Sequence, residues 1–132
     1  MTKDELKLIL EEHAKWVRGE GGKRAYLGGA YLEGANLRGA YLRGAYLGGV
    51  KLSSTHTAVG LIARVTRIID PYEFFAWRTD KGDFIKAGCR FMTVDEFRAH
   101  VARGYPGTPK AEETRAILDF IERRFKAVGG PA

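Results

Sequence analysis

AYLGG (25–29), AYLEG (30–34), ANLRG (35–39), AYLRG (40–44), AYLGG (45–49) and VKLSS (50–54) follow one another without interruption. A period of five fits neither the 3.6-residue turn of an α-helix nor the two-residue alternation of a long strand. Glycine at every fifth position would also weaken a helix by about 1 kcal/mol each relative to alanine. The pattern therefore reads as a three-residue extended stretch and a turn, repeated. In an extended stretch, residues two apart share a face. Ala25 and Leu27 point one way and Tyr26 the other, and the same holds for Ala30/Leu32, Ala35/Leu37, Ala40/Leu42, Ala45/Leu47 and Val50/Leu52. Glycine at the fifth position permits the backbone angles of a tight corner. One unit cannot bury its apolar face alone, so the units must stack into a solenoid with Leu and Ala inside.

The six units resemble the pentapeptide-repeat family, whose motif reads A(D/N)LxG. The resemblance covers about 30 of the 132 residues. It implies a right-handed, four-sided β-helix with four units per coil, so that six units make about one and a half coils. Such a stub has open ends that invite edge pairing unless they are covered, and the flanking segments are expected to cap it. With four units per coil, Tyr26 should lie over Tyr46 and Tyr31 beside Lys51. The second position of the unit departs from the family pattern: it holds Tyr26, Tyr31, Asn36, Tyr41, Tyr46 and Lys51. Some family members imitate DNA with an acidic surface and inhibit DNA gyrase. Here a single acid, Glu33, stands against Arg24, Arg38, Arg43 and Lys51, which speaks against mimicry by the solenoid. An aromatic and basic patch of Tyr26, Tyr31, Arg38, Tyr41, Arg43, Tyr46 and Lys51 is the expected partner-binding face. The competing expectation packs these tyrosines under the cap helix and the C-terminal part of the chain.

The flanks read as α+β. Thr2-Lys-Asp-Glu5 is a capping box with Met1 and Leu6 as its staple. Leu6, Ile9, Leu10, His13, Trp16 and Val17 form one stripe at helical spacing, and Gly19-Glu-Gly-Gly22 ends the helix. His13 is expected to be packed rather than catalytic. Leu61, Ala63 and Val65 alternate with Ile62, Arg64 and Thr66, Asp70-Pro71 marks a turn, and Asp80-Lys81-Gly82 joins two strands in a hairpin. Thr93-Val-Asp-Glu96 is a second capping box, opening a helix that runs to about Arg103. Gly107-Thr108-Pro109 starts the last helix, whose stripe is Thr114, Ile117, Leu118, Ile121 and Phe125. The organisation is a cap helix (1–22), a solenoid (23–57) and a C-terminal α+β unit (58–132). The last is expected to hold about three antiparallel strands with two helices on one side.

The net charge is +6, and its excess centres on residues 21–54, where Lys23, Arg24, Arg38, Arg43 and Lys51 face Glu33 alone. A basic segment favours an acidic partner, either protein or nucleic acid. The lone Cys89 allows no intramolecular disulfide, no apolar run reaches the ~18 residues of a membrane span, and the charged start is no secretory signal. A cytoplasmic protein is expected.

Catalytic signals are sparse. His13, His56 and His100 share no metal-ligand spacing, so neither metal nor cofactor is expected. A Cys89–His100 dyad is the one hydrolase arrangement to test, against the more ordinary reading of Cys89 as a small buried apolar residue. A direct nucleic-acid binder is the other alternative, with Arg78, Lys81, Lys86 and Arg90 around the hairpin and Trp77 available for stacking. Alternation puts Phe75 and Trp77 on one face and Phe74, Ala76 and Arg78 on the other; one face must meet the helices, so at most one can bind. The reading adopted is a non-enzymatic protein-binding module. By resemblance, its partner is a bacterial protein or ribonucleoprotein that handles nucleic acid, bound in the manner of a phage-type inhibitor (anti-CRISPR-like or topoisomerase-binding). The open solenoid ends also leave room for a homodimer.

Overall fold

The computed structural model describes residues 2–32, 42, 45, 47, 49–70, 72–88 and 90–129. Helix α1 spans Lys3–Arg18. Thr2 caps it by accepting the Glu5 N–H at 3.1 Å, and Gly19 ends it in the left-handed region. The chain then doubles back along the helix. Lys23 N–H donates to the Glu12 carbonyl at 3.2 Å, and Ala25 N–H donates to His13 Nδ1 at 2.9 Å. His13 is thus fully buried and holds the first repeat unit against α1. Gly22 makes the reversal possible. Its φ is +74°, and a Cβ built there would overlap the Glu12 carbonyl oxygen and come within 2.8 Å of Lys15 Cβ.

The repeat alternates as its sequence predicts. Ala25, Leu27, Leu32, Leu42, Val50 and Leu52 are buried. Each of the Leu and Val side chains contributes about 1.5–3 kcal/mol when fully buried, and the single methyl of Ala25 less. The corners repeat one hydrogen bond, from the first residue of a unit back to the Leu carbonyl of the unit before. It is present at Ala30–Leu27 (2.9 Å), Ala45–Leu42 (3.0 Å) and Val50–Leu47 (3.3 Å). Gly29 and Gly49 take φ near +70° at equivalent places in these corners, the angle that lets a turn close within five residues. Stacking is visible at an offset of twenty. Tyr31 pairs in parallel with Lys51, Lys51 N–H donates to the Ala30 carbonyl at 2.7 Å, and Leu32 N–H donates to the Lys51 carbonyl at 2.7 Å.

The last rung does not end in an open edge. Lys51 pairs antiparallel with Thr57, and Ala58 N–H donates to the Val50 carbonyl at 2.7 Å. Thr57 in turn exchanges hydrogen bonds with Asp80: its N–H donates to Oδ1 at 2.9 Å and its carbonyl accepts the Asp80 N–H at 3.0 Å. Pairing therefore runs without a break from Tyr31 through Lys51 and Thr57 into the sheet.

That sheet has four antiparallel strands in sequential order: β1 (Ala58–Arg67), β2 (Tyr72–Thr79), β3 (Gly82–Ala87) and β4 (Arg90–Met92). The fourth strand, three residues long, exceeds the sequence expectation of three. Helices α2 (Val94–Gly104) and α3 (Pro109–Ala127) cover one face. Thr93 and Glu96 form the complete capping box of α2, and Thr108 with Pro109 starts α3. Phe74, Ala76, Ile85 and Ala87 meet Phe97, Val101, Ile117, Leu118, Ile121 and Phe125 in this layer. The opposite face carries Phe75 and Trp77, which join the buried residues of the repeat and Leu6, Ile9 and Leu10 of α1 in a second cluster. The sheet is a shared wall between two cores.

A polar knot closes the β1–β2 turn. Arg67, 4% exposed, grips Asp70 with Nε (2.6 Å) and Nη2 (3.1 Å), donates to Thr114 Oγ1 at 3.1 Å, and lies over the Tyr72 and Phe74 rings. The Arg67 hydrogen bond, helped by the charges of Arg67 and Lys110, outweighs desolvation and holds the Asp70 carboxyl below its ordinary value of 3.8. A lowered folded-state value stabilises the native state above the unfolded value, and the gain is lost as pH falls through the folded one. Asp70→Asn should therefore lower the melting temperature at neutral pH, and the gap to wild type should close as the pH drops below about 3.8. Thermal melts across that range check this; a gap that ignores pH would show the carboxylate charge to be irrelevant.

Candidate functional site

Alternation in the first two units sends Tyr26 and Tyr31 outward, and both stand clear of the surface at 73% and 71% exposure. The competing expectation, tyrosines tucked beneath the flanking segments, does not hold at these two positions. Leu27 and Leu32 anchor the two units from below; the Ala30–Lys51 and Lys51–Leu32 hydrogen bonds hold the backbone on either side of Tyr31, and the Ala25–His13 hydrogen bond holds the residue before Tyr26. The parallel pair brings Tyr31 and Lys51 onto neighbouring extended segments, about 4.8 Å apart at the backbone. Lys51 is half-buried, its Nζ donating to Thr57 Oγ1 at 3.0 Å. Arg38, Tyr41, Arg43 and Tyr46, predicted for the same face, lie outside the described residues, and with Tyr46 the predicted Tyr26–Tyr46 stack.

Beside Tyr26 runs a groove of about 530 Å³ between α1 and the first unit, lined by Leu8, Ile9, Glu12, Lys23, Arg24, Ala25 and Tyr26. Arg24 also lies over the Trp16 ring, 5.8 Å from its centre, and Trp16 is 43% exposed. Sequence reasoning missed this groove. The available signal was Leu8, an apolar residue off the Leu6–Ile9–Leu10–His13 stripe and therefore left at the surface.

The alternative basic set around the hairpin is not brought together on an open face. Lys86 is 3% exposed, with Nζ donating to the Gly88 carbonyl at 3.1 Å. Arg78 is largely buried, paired with Asp83 through two hydrogen bonds and donating to the Phe125 and Gly129 carbonyls at the end of α3. Lys81 contacts Asp80 at 3.3 Å, and Arg90 is exposed on β4. Trp77 cannot stack a base, because it is fully buried against the repeat. The sequence argument left one sheet face free; both are covered, so the expected stacking platform is corrected to an internal wall.

Other chemistry is accounted for locally. His56 Nδ1 lies 2.8 Å from Ser53 Oγ, but that oxygen also accepts the Thr55 and His56 N–H groups. The arrangement is a hydroxyl-closed turn, with the imidazole edge-on to Phe84 and Phe91. Cys89 lies outside the described residues. His100 packs edge-on against Phe97 and Tyr105; desolvation, then the charges of Arg90, Arg103 and Lys110, push its imidazole below the ordinary value. Among the described residues, no group of three or more His, Cys, Asp and Glu side chains is placed to hold a metal ion, and no helix is long and apolar enough to cross a membrane.

Residues 23–56 match a protein family described as pentapeptide repeats (8 copies). Proteins with such repeats are often protein-interacting. Comparison with curated proteins and with solved structures returns no match.

Proposed function

We propose that this chain is a non-enzymatic protein-binding module whose contact surface is the outer face of the repeat, with Tyr26, Tyr31 and Lys51 at its described end. On this reading residues 23–56 wind as a short right-handed, four-sided β-helix of about one and a half coils, consistent with the pairing at an offset of twenty. Arg38, Tyr41, Arg43 and Tyr46 extend the same face. The observation that carries the proposal is the exposure of Tyr26 and Tyr31, the first next to the Ala25–His13 hydrogen bond and the second between two hydrogen bonds to Lys51. Exposed tyrosines on rigid backbone offer large contact area at small entropic cost, and Tyr is enriched among residues that dominate binding energy. The basic balance of residues 21–54 favours an acidic partner. The finer reading is a phage-type inhibitor, acting in the cytoplasm on a bacterial protein or ribonucleoprotein that handles nucleic acid. It rests on that charge and on the repeat resemblance.

Recovery of bacterial partners on the tagged chain, with and without nuclease, tests this. The Tyr26→Ala/Tyr31→Ala double variant should reduce recovery at least about tenfold, since losing one strong aromatic contact of ~2 kcal/mol already exceeds a factor of ten. Its stability should stay within about 0.5 kcal/mol of wild type, as expected for surface positions. Undiminished recovery sinks the repeat face as the contact surface. Recovery abolished by nuclease alone would move the function to direct nucleic-acid binding.

A further inference from the structure

We infer that the groove between α1 and the first repeat unit is the seat of an acidic, amphipathic helix of the partner. This inference rests on the protein-binding reading and specifies the partner's chemistry. Leu8, Ile9, Ala25 and Tyr26 give the groove an apolar lining. Leu8 and Tyr26 are 59% and 73% exposed, so it is an open trough rather than a closed chamber for a small molecule. Leu8 and Glu12 line it one turn apart on α1, about 6 Å along the helix axis, so one wall of the trough is itself a helix face. A second helix laid alongside presents an apolar stripe at i, i+4 and i+7, which suits an open trough with an apolar floor.

The charge of the occupant follows from the rim. Lys23 and Arg24 are exposed and line the groove, and among the described lining residues the one carboxylate, Glu12, sits 3.7 Å from Lys15 Nζ. Acidic residues flanking the apolar stripe of the incoming helix meet this rim favourably, and basic ones are repelled. Nucleic acid is the poorer fit, since a phosphate backbone gains nothing from burying Leu8 and Ile9.

The test uses two synthetic helical peptides of about four turns with leucines at i, i+4 and i+7, one flanked by Glu and one by Lys, titrated onto the full chain by fluorescence anisotropy. The Glu peptide should bind at least about tenfold more tightly than the Lys peptide, and the preference should shrink with rising salt. Leu8→Asp and Lys23→Glu should each weaken the Glu peptide at least about fivefold, with the far-ultraviolet circular dichroism unchanged. Leu8→Ala serves as the milder variant if Leu8→Asp disturbs α1. Equal binding of the two peptides, or no binding of either, overturns the inference. So does loss of Glu-peptide binding in Tyr31→Ala with none in Leu8→Asp, a result that keeps the repeat face as a binding surface and removes the groove. A dimer in sedimentation that Leu8→Asp dissociates would assign the groove to a second copy and likewise overturn it.

Discussion

Trp77→Ala is expected to lower the unfolding free energy by about 3–5 kcal/mol, the usual cost of truncating a fully buried large aromatic. Trp77 has no exposed surface and sits on the sheet face that meets the repeat. It pairs with Leu61 on β1 and Phe84 on β3, so its removal opens a hole in the wall shared by the two cores. Trp77→Phe should cost far less. The indole Nε1 has no hydrogen-bond acceptor among the described residues. An unsatisfied buried donor is itself unfavourable by about 1–3 kcal/mol, so losing it offsets part of the lost volume. Urea denaturation followed by circular dichroism distinguishes the two variants. If Phe proves as damaging as Ala, the N–H has a partner and the packing account is wrong.

The second large effect concerns a glycine. Gly19 and Gly22 both have φ of +74°, but space around them differs: a Cβ at Gly19 meets nothing within 4 Å, whereas one at Gly22 overlaps backbone of α1. Gly19→Ala should cost only the left-handed backbone penalty of about 1–2 kcal/mol. Gly22→Ala adds a clash with atoms that cannot rotate away, for which overpacking precedents give a further ~1–3 kcal/mol. The damage should be local. Relief comes by separating residues 22–25 from α1, which breaks the Lys23–Glu12 and Ala25–His13 hydrogen bonds. Hydrogen exchange should then show lost protection in α1 and at Ala25 while β2 and β3 keep theirs. Equal effects of the two substitutions would show that α1 is not held by this reversal.

Much of this architecture is written in local sequence. The five-residue period placed the buried Leu27, Leu32, Leu42 and Leu52 and the outward Tyr26 and Tyr31, because side-chain direction in an extended stretch depends on position alone. The two helix-start motifs at Thr93 and Thr108 marked helices correctly because a cap is satisfied within three residues. What was not legible depended on contacts distant in the chain. Lys86 looked like a surface cation, since lysine is rarely buried; its place follows from lying between Phe75 and Phe91 on neighbouring strands. The run Phe74-Phe75-Ala76-Trp77 did carry a warning. Four consecutive large or apolar residues mark a strand covered on both faces, and only the second cover, the repeat itself, had to be supplied by the fold. Likewise His13 fell within an apolar stripe, but its acceptor role toward Ala25 required the reversal at Gly22.

The unbroken pairing from Tyr31 through Lys51 and Thr57 to Asp80 also constrains how such a chain can lengthen. Rungs meet at an offset of twenty residues. Inserting twenty residues, four units, before Lys51 would keep that offset and leave the Lys51–Thr57 pairing as it is. Inserting a single unit would leave Lys51 beside Thr57, since both follow the insertion, but would set a different unit opposite Tyr31 and break the twenty-residue offset. Growth in steps of twenty residues therefore preserves the side of the repeat that faces the sheet, and growth in steps of five does not.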